Sequence, residues 1–184
     1  SRSIYGQYRN QVLGDENASF TFGGVTQSDF YVINFERARY KEKLDPGNWS
    51  LTLAGSSGSI TLIDDSGKKF NDAVGKAGRV FFIGSGSLNL GQEASATINS
   101  LTASNGEGFG LFYPDQGIFV FNATALENEL GTSIDSGSVS GASIYRGVER
   151  EGQNHFLMHN YIVSGSDFEA RRTENVSTSH YFVR

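Results

Sequence analysis

Apolar and polar residues alternate along this chain in short bursts. From Phe30 onward Tyr31, Ile33 and Phe35 fall to one side of an extended run, and in WSLTL Trp49, Leu51 and Leu53 fall opposite Ser50 and Thr52. That period of two predicts strands with one buried face. FTFGGV at 20–25 predicts a brief strand, and SITLIDDSG another, with Ile60 and Leu62 sharing a face until DDSG breaks the pattern. RVFFIGSGSLNL at 79–90 reads as two short apolar runs parted by glycine and serine, and NSLTASNGEG as surface loop. The clearest hairpin is GFGLFYPDQGIFVFN at 108–122, where two aromatic-rich runs flank PDQG, whose proline and glycine suit a tight turn. Its phenylalanines exceed what one sheet face needs, so either both faces are covered or one meets a partner.

Helical spacing is rarer. In SIYGQYRNQVLG, Ile4, Tyr8 and Val12 recur every four residues and Gly14 stands where a helix would stop, against the interruption by Gly6. TALENEL predicts a short helix with Thr124 as N-cap and Glu127 three residues on, the capping-box spacing. EGQNHFLMHNYIV places Phe156, Met158, Tyr161 and Ile162 to one side and predicts a third helix. DPGN at 45–48 is a turn, with proline presetting the second position and glycine accepting positive φ at the third. GTSIDSGSVSGAS is a polar loop, and SDFEARRTENVSTSHYFVR reads as strand, turn, strand.

Composition agrees with many short strands joined by glycine turns: 23 Gly, 2 Pro, 14 Phe and 8 Tyr in 184 residues. The expected fold is mainly β, an antiparallel sandwich or barrel-like pair of sheets with two or three short helices, in a single domain over 1–184. Charged residues are 19% and the net charge is -5, against roughly 25% charged in an average chain, so neither nucleic acid nor a membrane is an expected partner. The absence of cysteine excludes a disulfide framework, thiolate metal sites and cysteine nucleophiles. No apolar run approaches the roughly 20 residues that span a bilayer, and the amino terminus lacks the plan of a signal peptide. The chain opens at Ser1 and stops at Arg184 directly after HYFVR, and is expected to be part of something longer.

The search for chemistry returns little. His155 and His159 stand four apart, the spacing of zinc-binding pairs on a helix, but the glutamate of the hydrolase motif is missing and only His180 remains as a third ligand. DDSGKK at 64–69 opens like a calcium loop without the later ligands, and reads as a polar turn. Ser66 and Lys69 form S-x-x-K without the partner motifs of penicillin-binding enzymes. There is no nucleophile elbow and no phosphate loop. Glycosylation triplets at Asn17, Asn48, Asn122 and Asn175 are what chance delivers in a chain rich in Asn, Ser and Thr. The expectation is no catalysis and no cofactor.

The densest charge lies in ERARYKEK, four cations and two acids from Glu36 to Lys43. If the strand that starts at Phe30 continues, Arg37, Arg39, Lys41 and Lys43 share one face while Glu36, Ala38, Tyr40 and Glu42 share the other. Such a basic ladder on an acidic chain would either meet an acidic partner surface, where charge sets register, or protect an exposed sheet edge.

SIYGQYRNQVLG, FYVINFERARYKEKLDPGNWSLTL, ITLIDDSG, GLFYPDQGIFVFNATAL and SDFEARRTENVSTSHYFVR together resemble the middle portion of baseplate wedge proteins of T4-like contractile-tailed phages, cyanophage forms in particular. The strings RYKEKLDPGNW and FYPDQGI are the most specific parts. The resemblance implies a structural virion protein, without catalysis, that is assembled in the bacterial host cytoplasm and packs against other baseplate subunits. Wedge proteins of this kind are longer, so 184 residues would be one domain or a fragment. Arg37, Arg39, Tyr40, Lys41 and Lys43, with the second basic pair Arg171 and Arg172, then become candidate assembly contacts, because Arg and Tyr are enriched where interfaces carry energy.

Two other classes remain open. A carbohydrate-binding or receptor-binding tail domain would stack sugars on exposed aromatics, yet Trp49, the one tryptophan, sits in an alternation that favours burial. An enzyme built on the acids and His155 has no motif behind it.

Overall fold

The structure, a computed structural model, describes residues 2–27, 29–40, 43–66, 73–88, 96–131, 134–135, 144–145 and 153–171. The first half comprises α1 (Arg2–Leu13), β1 (Phe20–Phe22), β2 (Val25–Gln27), β3 (Phe30–Asn34), a 3-10 turn (Arg37–Arg39), β4 (Trp49–Gly55) and β5 (Gly58–Asp64). There follow β6 (Ala73–Gly75), β7 (Gly78–Ser87), β8 (Thr97–Ser100), β9 (Gly110–Tyr113), β10 (Ile118–Asn122) and α2 (Ala123–Leu130). The two-residue strands β11 (Ile134–Asp135) and β12 (Ile144–Tyr145), the helix α3 (Gln153–Gly165) and β13 (Asp167–Ala170) complete the described elements.

The main sheet runs β13-β4-β5-β7-β9-β10-β3 with every neighbour antiparallel, and β6 and β8 pair with β7 outside that path. It is strongly curled. Trp49 on β4 touches Phe112 on β9 and Phe119 on β10, at centroid separations of 5.4 and 4.7 Å. Those strands lie three and four places away in the sheet, so the rings can meet only on the inside of a curve. The two ends of the sheet also meet, because Phe35, just past β3, stacks on Phe168 of β13 at 5.2 Å. The chain is mainly β, a curled antiparallel half-barrel with three helices among the described residues, within the class its alternation predicts.

Register assigns the aromatic residues to two layers. On the inner face Leu51 pairs with Leu62, Phe81 with Phe112, and Phe112 with Phe119, and Leu126 and Leu130 of α2 and Met158 and Tyr161 of α3 pack against this set. On the outer face Leu111, Tyr113, Ile118 and Val120 are covered by Val12 of α1 and by Phe20 and Phe22 of the β1–β2 hairpin. Both faces of the 108–122 hairpin are therefore buried from within the chain, which accounts for its excess of phenylalanine. Burial at this scale is the main stabilising contribution, about 1.5–3 kcal/mol for each large apolar side chain.

Several elements form as predicted and others shift for identifiable reasons. Gly14 ends α1 at φ 73°, its amide donating to Asn10 O at 2.9 Å, and Gly47 takes φ 79° in the DPGN turn. FTFGGV folds back on itself as the first strand and turn of the β1–β2 hairpin. In the 79–90 run β7 continues through Gly84 and Gly86 to Ser87, and Asn89 and Leu90 lie outside the described residues. Those glycines serve close approach, since a Cβ at Gly84 would lie 2.7 Å from Ser100 O, and the register shifts at Ser85 and Gly86. Their partner β8 occupies the start of what reads as loop. Helix α2 begins earlier than predicted, because Asn122 rather than Thr124 is the N-cap; its Oδ1 accepts from the Thr124 and Ala125 amides at 3.0 and 3.4 Å. Of the polar loop at 131–143, Gly131 and β11 fall among the described residues, and β11 pairs in parallel with β12 just past the loop. The strand and turn expected after Arg171 lie outside them.

Candidate assembly surface

The charged segment has a different geometry from the extended ladder that its alternation predicts. Asn34 pairs with Ile118, the first residue of β10, so beyond it β3 has no strand to follow. The Phe35 amide takes one last bond, to Gly117 O at 2.9 Å. The chain then winds into the 3-10 turn, with Arg39 N donating to Glu36 O at 2.9 Å and Tyr40 N to Arg37 O at 3.3 Å. In that geometry residues three apart share a face. Arg39 Nε accordingly lies 3.8 Å from Glu36 Oε2, and the Arg37 guanidinium stacks 5.1 Å from the Tyr40 ring centroid. Arg37 and Arg39 thus form no common cationic row, and Lys41 lies outside the described residues.

The segment wraps the turn of the 108–122 hairpin. Arg37 Nη1 donates to Asp115 O at 3.2 Å, the Tyr40 hydroxyl to Gln116 O at 2.9 Å, and Leu44 N to Pro114 O at 3.1 Å. The Tyr40 ring fills the space over Gly117, whose φ of 66° and missing Cβ both suit the contact. Tyr40 is drawn inward as a clamp on its own hairpin. Arg37 is exposed but shares that clamp, whereas Arg39 is exposed and pairs with Glu36.

Register brings further charge to the same end of the half-barrel. Ala170 pairs with Trp49, and Arg171 N donates to Asn48 O at 2.8 Å, which sets Arg171 beside the DPGN turn with its side chain 3.7 Å from Glu169. Arg172 lies outside the described residues. Arg79 enters here although nothing in its local sequence marks it: its Nη2 lies 3.6 Å from Asp115 Oδ1 and its amide donates to Oδ2. Lys76 lies along Gly14 at the carboxyl end of α1, where a cation opposes the helix dipole. Only the β7–β9 pairing, a long-range contact, could have placed Arg79 in this group. Lys43 is half-buried beside Leu44.

Two buried acids brace this end from inside. Asp64 Oδ2 accepts from Gly47 N at 2.8 Å and Oδ1 from Ser66 N at 3.0 Å, which fixes the DPGN turn to the end of β5. Burial pushes its carboxyl up, and the donors of Ser66, Gly47 and Trp49 oppose the rise. Asp65 faces the other way, toward β7, where Oδ1 accepts from Phe82 N at 2.9 Å. DDSG is thus a structural turn as far as it is described, and Lys69 lies outside the described residues.

Among the described residues the remaining candidates form no cluster. His155 and His159 both lie on α3, His159 is exposed, and His180 falls outside the described residues. Among the described residues no group of three or more His, Asp or Glu is placed to hold a metal ion. No described helix is long and apolar enough to cross a membrane. Trp49 is 1% exposed, and Asn48 and Asn122 are equally inaccessible, so none of these can be a sugar platform or a glycan acceptor in the folded chain. No protein-family model, curated protein or solved structure matches the chain.

Proposed function

We propose that this chain is a structural subunit of a contractile phage-tail baseplate, a wedge-type protein of the virion that works by packing against neighbouring subunits. The observation that supports the reading is the meeting of its two most specific strings. RYKEKLDPGNW and FYPDQGI lie about seventy residues apart in sequence, yet Tyr40 bonds Gln116 and Leu44 bonds Pro114. The resemblance therefore follows one physical unit, a clamped hairpin end, rather than two unrelated strings.

The same unit presents the side chains a neighbour would read. Arg39, Arg79 and Arg171 each stand near an exposed carboxylate at 3.6–3.8 Å. Exposed pairs of that kind contribute only about 0–1 kcal/mol, so they can be exchanged for acids on another subunit at little cost. Charge of this sort sets register and encounter rate more than affinity. Assembly in the host cytoplasm and a place in the tail follow from the wedge reading.

The experiment is capture of other virion proteins by the purified chain, alone and with Arg39, Lys43 and Arg171 replaced by serine. The reading expects capture of tail subunits that weakens with salt and is lost in the triple variant while the fold survives. A monomer that captures no tail subunit but binds a glycan array would replace it with the receptor-binding alternative.

A further inference from the structure

We propose that Asp65 is a proton-operated latch at the charged end of the half-barrel: protonated, its carboxyl fastens the end of β5 to β7, and ionised, it lets that junction open to water. The inference concerns the isolated chain and stands apart from the baseplate reading.

Asp65 is the first residue past β5 and is 0% exposed. Its amide donates to Phe82 O at 3.0 Å while its own Oδ1 accepts from Phe82 N at 2.9 Å, so one residue makes both bonds of the junction. The other oxygen, Oδ2, is buried without a hydrogen-bond partner. A neutral acid in that place leaves at most one polar atom unmet, a modest cost. A carboxylate there is a buried charge met only by backbone amides, that of Phe82 and its own, and the cost of burying it is larger.

Among the described residues no cation is placed beside the carboxyl; Lys68 and Lys69 lie outside them. From β7 the carboxyl meets only the Phe82 backbone, and along its own chain the adjacent acid is Asp64. Asp64 is itself held by Gly47 and Ser66. On the flanking turns, Asp45 accepts from Asn48 Nδ2 and Arg79 pairs with Asp115. Burial accordingly drives the Asp65 carboxyl up to about 6, with Phe82 N–H opposing and the Asp64 charge adding to the rise.

The sign follows from linkage. An opened junction returns Asp65 to an ordinary value near 3.8, so below about pH 4 both forms hold the proton and closure is strongest. Between about pH 4 and 6 the open form loses its proton first, and closure weakens with each step. Above about 6 both forms are ionised and the loss is complete, about 100-fold in the closing equilibrium.

The test is amide hydrogen exchange at Phe82 in the folded chain from pH 4 to 8, corrected for intrinsic exchange, together with the carboxyl carbon resonance of Asp65 over the same range. The latch predicts about a 100-fold fall in Phe82 protection between pH 4 and 7 and a resonance midpoint near 6. Asp65→Asn keeps an oxygen for the Phe82 amide and should flatten the pH dependence. A resonance midpoint near 4 in the unaltered chain, or the same fall in the Asp65→Asn variant, would overturn the proposal; the resonance alone decides should the variant fail to fold.

Discussion

The Tyr40 hydroxyl donates to the Gln116 carbonyl at 2.9 Å, and its oxygen stands 2.5 Å from where a Cβ on Gly117 would lie. One aromatic ring thus supplies the bond that holds the charged segment and forbids a side chain in the turn below it. Tyr40→Phe should lower stability by about 1 kcal/mol, the net worth of one hydrogen bond. Gly117→Ala should cost more, about 2–4 kcal/mol, since it meets both positive φ and the ring. Urea unfolding of the two variants measures the difference, and a Gly117→Ala protein as stable as the parent would mean the ring is not seated there.

The start of α2 separates two N-caps by direct test. Asn122 is fully buried, caps the helix with Oδ1 and donates through Nδ2 to Glu107 Oε2 and Gly108 O, both at 3.0 Å. Asn122→Ala should therefore cost about 2–3 kcal/mol. The Thr124 hydroxyl is buried without a partner, so Thr124→Ala should be neutral or slightly stabilising. Thermal denaturation of both would show the reverse order if threonine were the cap.

Removal of the Asp64 acceptor should release the DPGN turn. Asp64→Ala leaves the Gly47 and Ser66 amides without their acceptor and should lower stability by about 2–4 kcal/mol. The loss should appear as faster exchange at Gly47 ahead of the central strands, because the turn opens before the sheet does.

The sole tryptophan reports on the inner core. With Trp49 packed on Phe112 and Phe119, its emission should be blue-shifted and resist acrylamide until the chain unfolds. Ready quenching of the native protein would place the indole at the surface and return the sugar-platform reading to contention.

Local chemistry was legible where one stretch of chain decides the outcome. The four-residue spacing of Ile4, Tyr8 and Val12, the proline and glycine of DPGN and PDQG, and the period of two in WSLTL each name their element correctly. What failed depended on distant partners. The ladder expected over Arg37 to Lys43 required a strand beside it, and β10 begins too late to supply one. Gly84 and Gly86 look like a turn until β8 is known to press its backbone against them. Asn122 reads as the end of a strand, and it is the last residue of β10 and the cap of α2 at once. Arg79 joined the charged end through strand pairing, and no local signal could have found it.

The central claim is that the end of the half-barrel built from the Tyr40 clamp is an assembly contact between virion subunits. The most direct measurement is capture of phage tail proteins by the purified chain, set beside the variant with Arg39, Lys43 and Arg171 replaced by serine and a circular dichroism spectrum confirming its fold. The account predicts that baseplate subunits are retained by the parent, released as salt rises, and missed by the variant. Equal capture by parent and folded variant, or no tail protein retained by either, would contradict it.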